Sequence, residues 1–399
     1  MTDLQQKPLA LGLAARLDHI APFHVMELVK KAAALEKQGR HIIHMGIGEP
    51  DFTAPPPVVA AAAQAMADGR LQYTPATGIP ALREAISGHY RAVYGLDIAP
   101  SRIIVTAGAS AALLLACAAL VDPGTEVLMP DPSYPCNRHF VAAFDGVAKM
   151  VPSGPAERFQ LSDDMVRQNW GALTRGVLLA SPSNPTGTSI THEELGKIVK
   201  TVRARNGFTI VDEIYQGLSY EAEPFSALSL GDDIVVINSF SKYFNMTGWR
   251  LGWLVVPEQM VPAIEKLAQN LFICPSSIAQ HAGVACFLPE SIAIYEERKA
   301  EFRRRRDYIV PALRELGFKV PVMPDGAFYV YADCSGLSDD ADRLTIELLE
   351  EAGVVLVPGL DFGPHTEHNY IRLSYATSIE NLQEAVARMR RFFDARRAA

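Results

Sequence analysis

Seven short apolar runs, near residues 102–106, 126–129, 147–151, 176–180, 208–212, 234–238 and 251–256, alternate with stretches of helical pattern. Parallel neighbours in a sheet need a crossover of about a dozen residues or more, usually a helix, so this alternation predicts a mostly parallel seven-stranded sheet with helices on both faces. The fold class is α/β. The alternation stops near residue 256, and a long helical stretch follows from about Glu290 to Leu316. Strand patterns near 327–332 and 369–374 and a closing helix from Ile379 to about Arg396 complete the chain. The reading is a large domain over residues 50–290 and a smaller α+β domain over 291–399, with residues 1–49 forming an N-terminal arm and part of the small domain.

Of the 399 residues 49% are hydrophobic and 21% charged, enough to bury a core larger than one ordinary domain. A net charge of −8 argues against nucleic acid and anionic membrane surfaces as partners. Arg303 to Arg306 interrupt that balance, and on a helix such a run reads as a solvated face. The cysteines Cys117, Cys136, Cys274, Cys286 and Cys334 are widely spaced with no Cys-x-x-Cys pair, so neither a disulfide framework nor zinc is expected. No histidine spacing suggests a metal site. With no basic-then-apolar leader and no apolar run of about 18 residues, a cytoplasmic location is expected and no membrane span.

Ser239-Phe240-Ser241-Lys242 places a lysine among hydroxyls, with Arg250 eight positions beyond. Partial burial beside another cation lowers a lysine pKa towards neutrality, as an amine needs if it is to condense with an aldehyde. Ser239, Ser241 and Arg250 suit a phosphate dianion, and a Schiff-base lysine next to a phosphate site describes pyridoxal 5′-phosphate. The run Phe208–Val211 delivers Asp212 to a strand's carboxyl end, where open α/β sheets bind ligands. A carboxylate there can keep a pyridine nitrogen protonated, and Tyr215 can donate to the ring's phenolate oxygen. Prolines on both sides of Asn184 fix the chain so that its amide is displayed rigidly towards the same oxygen. Gly108, Ala109 and Ser110 stand between a strand and an Ala/Leu-rich helix, small enough for backbone N–H groups to approach an anion. Neither Gly-x-Gly-x-x-Gly nor a Walker lysine is present, which leaves dinucleotides and nucleoside triphosphates poorly served. Each segment also has a structural reading: a solvated loop lysine, an acidic strand end, a turn, a helix cap.

With these segments, Gly46-Ile47-Gly48-Glu49-Pro50-Asp51-Phe52, Gln72-Tyr73-Thr74-Pro75-Ala76-Thr77-Gly78 and Ile371-Arg372-Leu373-Ser374, the chain resembles the class I and II aminotransferases of pyridoxal-phosphate fold type I over nearly its whole length. The resemblance implies Lys242 as Schiff-base lysine and proton shuttle, Asp212 at the pyridine nitrogen, and Asn184 with Tyr215 at the ring oxygen. It also implies Gly108, Ala109, Ser110, Ser239 and Arg250 around the phosphate and Tyr134 stacked on the ring. Arg372 would bind the substrate α-carboxylate, closed by the Gly48 backbone. Tyr73 would reach the phosphate of a neighbouring chain, which implies a homodimer with shared sites.

The implied activity is transfer of an amino group from an amino acid to a 2-oxo acid. A β- or γ-lyase of the same fold needs the same Lys242, Asp212 and Arg372, so the motifs leave it open. A non-enzymatic regulator is disfavoured, because Gly48 is reached too soon to leave room for a DNA-binding domain. Two segments suspected at the mouth, Ile20–Val25 and Leu271–Pro275, hold no arginine or lysine, which favours a neutral or hydrophobic donor. His24 is a weak option for a distal carboxylate, and 2-oxoglutarate as acceptor is suggested by the family alone.

Overall fold

The computed structural model describes residues 12–20, 24–221, 223–365 and 367–398. Twelve strands are present among them: β1 (Ile43–His44), β2 (Ile103–Thr106), β3 (Glu126–Asp131), β4 (Val147–Pro152), β5 (Thr174–Ala180), β6 (Phe208–Asp212), β7 (Val235–Ser239), β8 (Gly252–Val255), β9 (Tyr329–Asp333), β10 (Val354–Val355), β11 (Val357–Pro358) and β12 (Tyr370–Ser374). Seven of them form one sheet in the order β2-β8-β7-β6-β5-β3-β4. Each lies within two residues of a run read from the sequence.

Strand β8 pairs antiparallel with both β7 and β2, and every other pairing in this sheet is parallel. The cause lies in the connection. Between β7 and β8 the chain makes only a short turn at Thr247–Trp249, with no helix to carry it back across the sheet. That segment is instead given over to Lys242 and Arg250.

The carboxyl ends of β2, β3, β5, β6 and β7 lie along one edge, so Gly108, Tyr134, Asn184, Asp212 and Lys242 follow strands that finish side by side. This is where an open α/β sheet gathers its ligand groups. The 28-residue helix Pro289–Leu316 leads to a three-stranded antiparallel sheet, β11-β12-β9, which carries Arg372. The pair β1-β10 ties the residues before Gly46 to this C-terminal region. Two-residue strands such as β1, β10 and β11 leave no periodicity to detect, and none was expected.

Only half of the arginine run forms a solvated face: Arg303 and Arg304 are exposed, but the next two are not. Arg305 and Arg306 are 4% and 3% exposed. Arg305 pairs with Asp51 at 2.8 Å and Glu301 at 2.9 Å, while Arg306 pairs with Glu221 and Asp307 at 2.7 Å each. Phe52 lies between the Arg298 and Arg305 guanidinium groups. The long helix therefore uses charge inwardly, to fix the Asp51-Phe52 segment beside Gly48.

Candidate active site

A cavity of about 360 Å³ opens at that sheet edge, lined among others by Gly48, Ala109, Ser110, Tyr134, Asn184, Asp212, Tyr215, Ser241, Lys242, Arg250 and Arg372. The structure thus brings together residues from seven separated segments. Its size and mixed lining suit a small cofactor and substrate.

Strand alternation explains the acidic pair at the end of β6. Asp212 faces the cavity, whereas Glu213 turns the other way and accepts from Ser226 Oγ and the Ala227 amide. Both are buried, at 5% and 2% exposure, so neither is a solvated strand end. Burial pushes the Asp212 carboxyl up to about 7, opposed by a hydrogen bond from the Ile214 amide at 3.0 Å and by the Lys242 charge. A carboxylate held this way is stabilised by any cationic N–H placed against it.

Lys242 donates from Nζ to the Gly48 carbonyl and lies 5.8 Å from the Tyr215 ring centroid. Burial, helped by the Arg372 and Arg250 charges and opposed by Glu49 and Asp212, lowers its pKa to about 8. A substantial fraction is then free base near neutral pH, as nucleophilic chemistry requires.

The anion-binding features are built from contact between backbones. Gly108 precedes the helix Ala109–Leu120 at φ +82°, and a Cβ there would fall 2.5 Å from Arg250 Nη2. A Cβ on Gly252 would fall 2.7 Å from the Gly108 carbonyl carbon. Arg250 itself has φ +52°, a left-handed conformation costing about 1–2 kcal/mol in a non-glycine residue. Glycine on two sides lets the guanidinium lie against the helix start, where unpaired N–H groups and the helix dipole attract an anion.

Three expected site residues do not line the cavity. Gly108 sits behind Arg250. Ser239, 1% exposed, is held against the Leu251 carbonyl and accepts from the Ser241 amide at 3.0 Å; Ser241 is the hydroxyl that reaches the cavity. Tyr73 is 83% exposed and away from this chain's own cavity.

Arg372 is 2% exposed and lies between the rings of Tyr329 and Phe362, at 4.7 and 4.9 Å from their centroids. It donates from Nη1 to Asn184 Oδ1 at 2.8 Å and from Nη2 to the Gly46 carbonyl, while its buried Nε has no partner. The guanidinium is therefore fixed in plane with donors to spare. Tyr215 makes its hydroxyl contact with Tyr329, which also lines the cavity and which the sequence reading missed.

In the helix His24–Lys37, Val25 belongs to the suspected mouth segment Ile20–Val25 and does line the cavity, whereas Met26 and Val29, which line it with Ile47, Leu113 and Ile214, were missed. Of the two suspected mouth segments, Ala21, Pro22 and Phe23 lie outside the described residues. Leu271–Pro275 does not line this cavity, and neither does His24. Among the described residues no three His, Cys, Asp or Glu side chains are grouped to hold a metal, and no helix is long and apolar enough to cross a membrane.

The family described as aminotransferase class I and II matches residues 40–389. The valine–pyruvate aminotransferase of Mycobacterium tuberculosis is 38% identical over 93% of this chain and 96% of its own length. The aspartate/prephenate aminotransferase of Thermus thermophilus is 36% identical, covering 95% and 98%. Among solved structures, an aminotransferase from M. tuberculosis superposes with a TM-score of 0.92 at 38% identity, covering 96% of this chain and all of that one. Aspartate aminotransferase from T. thermophilus with maleate gives 0.90 at 36%, covering 96% and 99%. Matches of this extent, on a site with this geometry, leave one conclusion: the chain belongs to the class I and II aminotransferases, and is a pyridoxal-phosphate-dependent transaminase.

Proposed function

We propose that this cavity binds pyridoxal 5′-phosphate and transfers the amino group of a neutral or hydrophobic amino acid to a 2-oxo acid, with 2-oxoglutarate as acceptor. The residues fit the cofactor: a buried lysine free-base near pH 8, a buried carboxylate wanting a cationic N–H, and an arginine seated at a helix start. When bound, the cofactor supplies a conjugated ring that withdraws electrons from the substrate's α-carbon. Lys242 takes and returns the α-proton. Asp212 holds the proton on the ring nitrogen, and Asn184 and Tyr215 face the ring oxygen. Ala109, Ser110, Ser241 and Arg250 hold the phosphate, with Gly108 giving Arg250 its space and Ser239 orienting Ser241. Tyr134 covers the ring face. Arg372 grips the α-carboxylate beside the Gly48 backbone. Tyr73 serves the site of a second chain, in a cytoplasmic homodimer; its exposure beside that of Leu71 and Ile47 supports this.

One observation carries the substrate class. The cations among the described lining residues are Lys242, Arg250 and Arg372, each already engaged, and the remaining side chains Val25, Met26, Val29, Ile47, Leu113 and Ile214 are apolar. A second carboxylate would find no partner from this chain, and an unpaired buried charge is strongly disfavoured. The choice of 2-oxoglutarate rests on the family.

The test is a single-turnover assay without acceptor. Leucine or valine is expected to give one oxo acid per site and stop, with aspartate slower by about a hundredfold. Equal rates for aspartate would refute the donor class. Continuous ammonia release would show a lyase.

A further inference from the structure

The short turn Gly359–Asp361, with Phe362 after it, joins three parts of the site. Asp361 is 1% exposed, and its two carboxylate oxygens accept the backbone N–H groups of His24, at 2.8 Å, and Val25, at 2.9 Å. Those amides open the helix His24–Lys37, which supplies Val25, Met26 and Val29 to the cavity. The Asp361 carbonyl accepts from Arg138 Nη2 at 3.0 Å, which links the turn to the large sheet's side of the site. Phe362 covers one face of the Arg372 guanidinium.

We propose that Asp361 is a positioning residue that sets donor selectivity, by pinning the first turn of this helix so that Val25, Met26 and Val29 form one fixed apolar wall. The inference rests on the reading of the cavity as an amino-acid site. A buried carboxylate accepting two amides at a helix start makes charge-assisted bonds aligned with the helix dipole, and water cannot replace them there. The helix has other anchors: Leu28 and Ala32 pack with Ile42, Leu349 and Val355, and Val25 packs with Phe159, Tyr331, Val357 and Phe362. Loss of the carboxylate therefore frees the first turn and leaves the remainder seated. A large donor side chain senses a loosened wall; the methyl of alanine does not reach far enough to do so.

Asp361→Asn keeps the size, but its amide offers one acceptor oxygen and turns an N–H₂ donor towards a backbone donor. With the holoenzyme, KM for leucine should rise about tenfold while KM for alanine changes less than about threefold, and kcat should hold for both. Hydrogen–deuterium exchange of the peptide spanning residues 24–29 should speed up about tenfold, with or without substrate. His24→Pro provides a second route, because proline is accommodated in the first helical turn and lacks the N–H that Asp361 accepts, with His24→Ala, which keeps that N–H, as the control for the lost imidazole. It should shift exchange and the leucine-to-alanine ratio in the same direction, by less. Unchanged exchange in both variants, or equal losses on leucine and alanine, overturns the assignment. If the wild-type enzyme does not prefer leucine to alanine, the donor reading fails, and exchange alone then decides whether Asp361 pins the helix.

Discussion

The hydroxyl oxygens of Tyr215 and Tyr329 lie 2.7 Å apart, and both residues are fully buried or nearly so. Tyr329 also explains the glycine at 48, since a Cβ there would come within 2.5 Å of its hydroxyl oxygen. One phenol therefore sets both the orientation of Tyr215 and the room beside the Gly48 carbonyl. Tyr329→Phe should fold normally and lower kcat/KM about tenfold through misorientation of Tyr215, with a steady-state assay and a melting curve as the check. An unchanged kcat/KM would make Tyr329 packing alone.

The Lys242 amine should govern how the cofactor attaches. Its pKa stands at about 8 instead of the usual 10.5, and the deprotonated amine is the reactive form. The rate of covalent uptake of pyridoxal phosphate should therefore rise as pH increases to about 8 and level off above it. A rate still climbing towards pH 10 would mean the amine is not desolvated. Borohydride trapping followed by peptide mapping should place the label on Lys242, and Lys242→Ala should lose transamination by several orders of magnitude.

Arg372→Lys should raise KM for every amino acid, by about a hundredfold, because an ammonium cannot lie flat between Tyr329 and Phe362 while bridging Asn184, Gly46 and a carboxylate. A loss confined to one class of donors would reassign Arg372 to side-chain recognition.

Two inactive variants should rescue each other if Tyr73 serves a neighbour. In a heterodimer of Lys242→Ala and Tyr73→Phe chains, one of the two sites carries both native residues. Mixing under conditions of demonstrated subunit exchange should recover activity above either parent. A monomer with full activity by light scattering would rule out the shared site.

The parts of this molecule legible in the sequence are those in which a single segment determines its own outcome. The seven strands were legible because each is a short apolar run, buried except at the edge strand β4, and most are separated by helical patterns; the sheet end at Asp212 followed from them. Lys242 and Arg250 stood out because their chemistry is unusual for a loop. Tyr329 did not, since a tyrosine in a strand is ordinary until Tyr215, 114 residues away, is found opposite it. Arg305 and Arg306 were misread for a related reason: their partners Asp51 and Glu221 are remote in sequence, so local context shows only a charged helix. The antiparallel turn of β8 was hidden because an apolar run carries no sign of its direction.

The meeting of Gly108, Gly252 and Arg250 has a consequence for how such an enzyme can diversify. Two of the three already lack side chains, so any addition there strikes backbone or guanidinium, and only the loss of Arg250, which holds the anion, would enlarge that end of the cavity. The wall made by Val25, Met26 and Val29 consists entirely of side chains. Adaptation to new donors is thereby channelled to one end of the site, while the other is conserved by geometry.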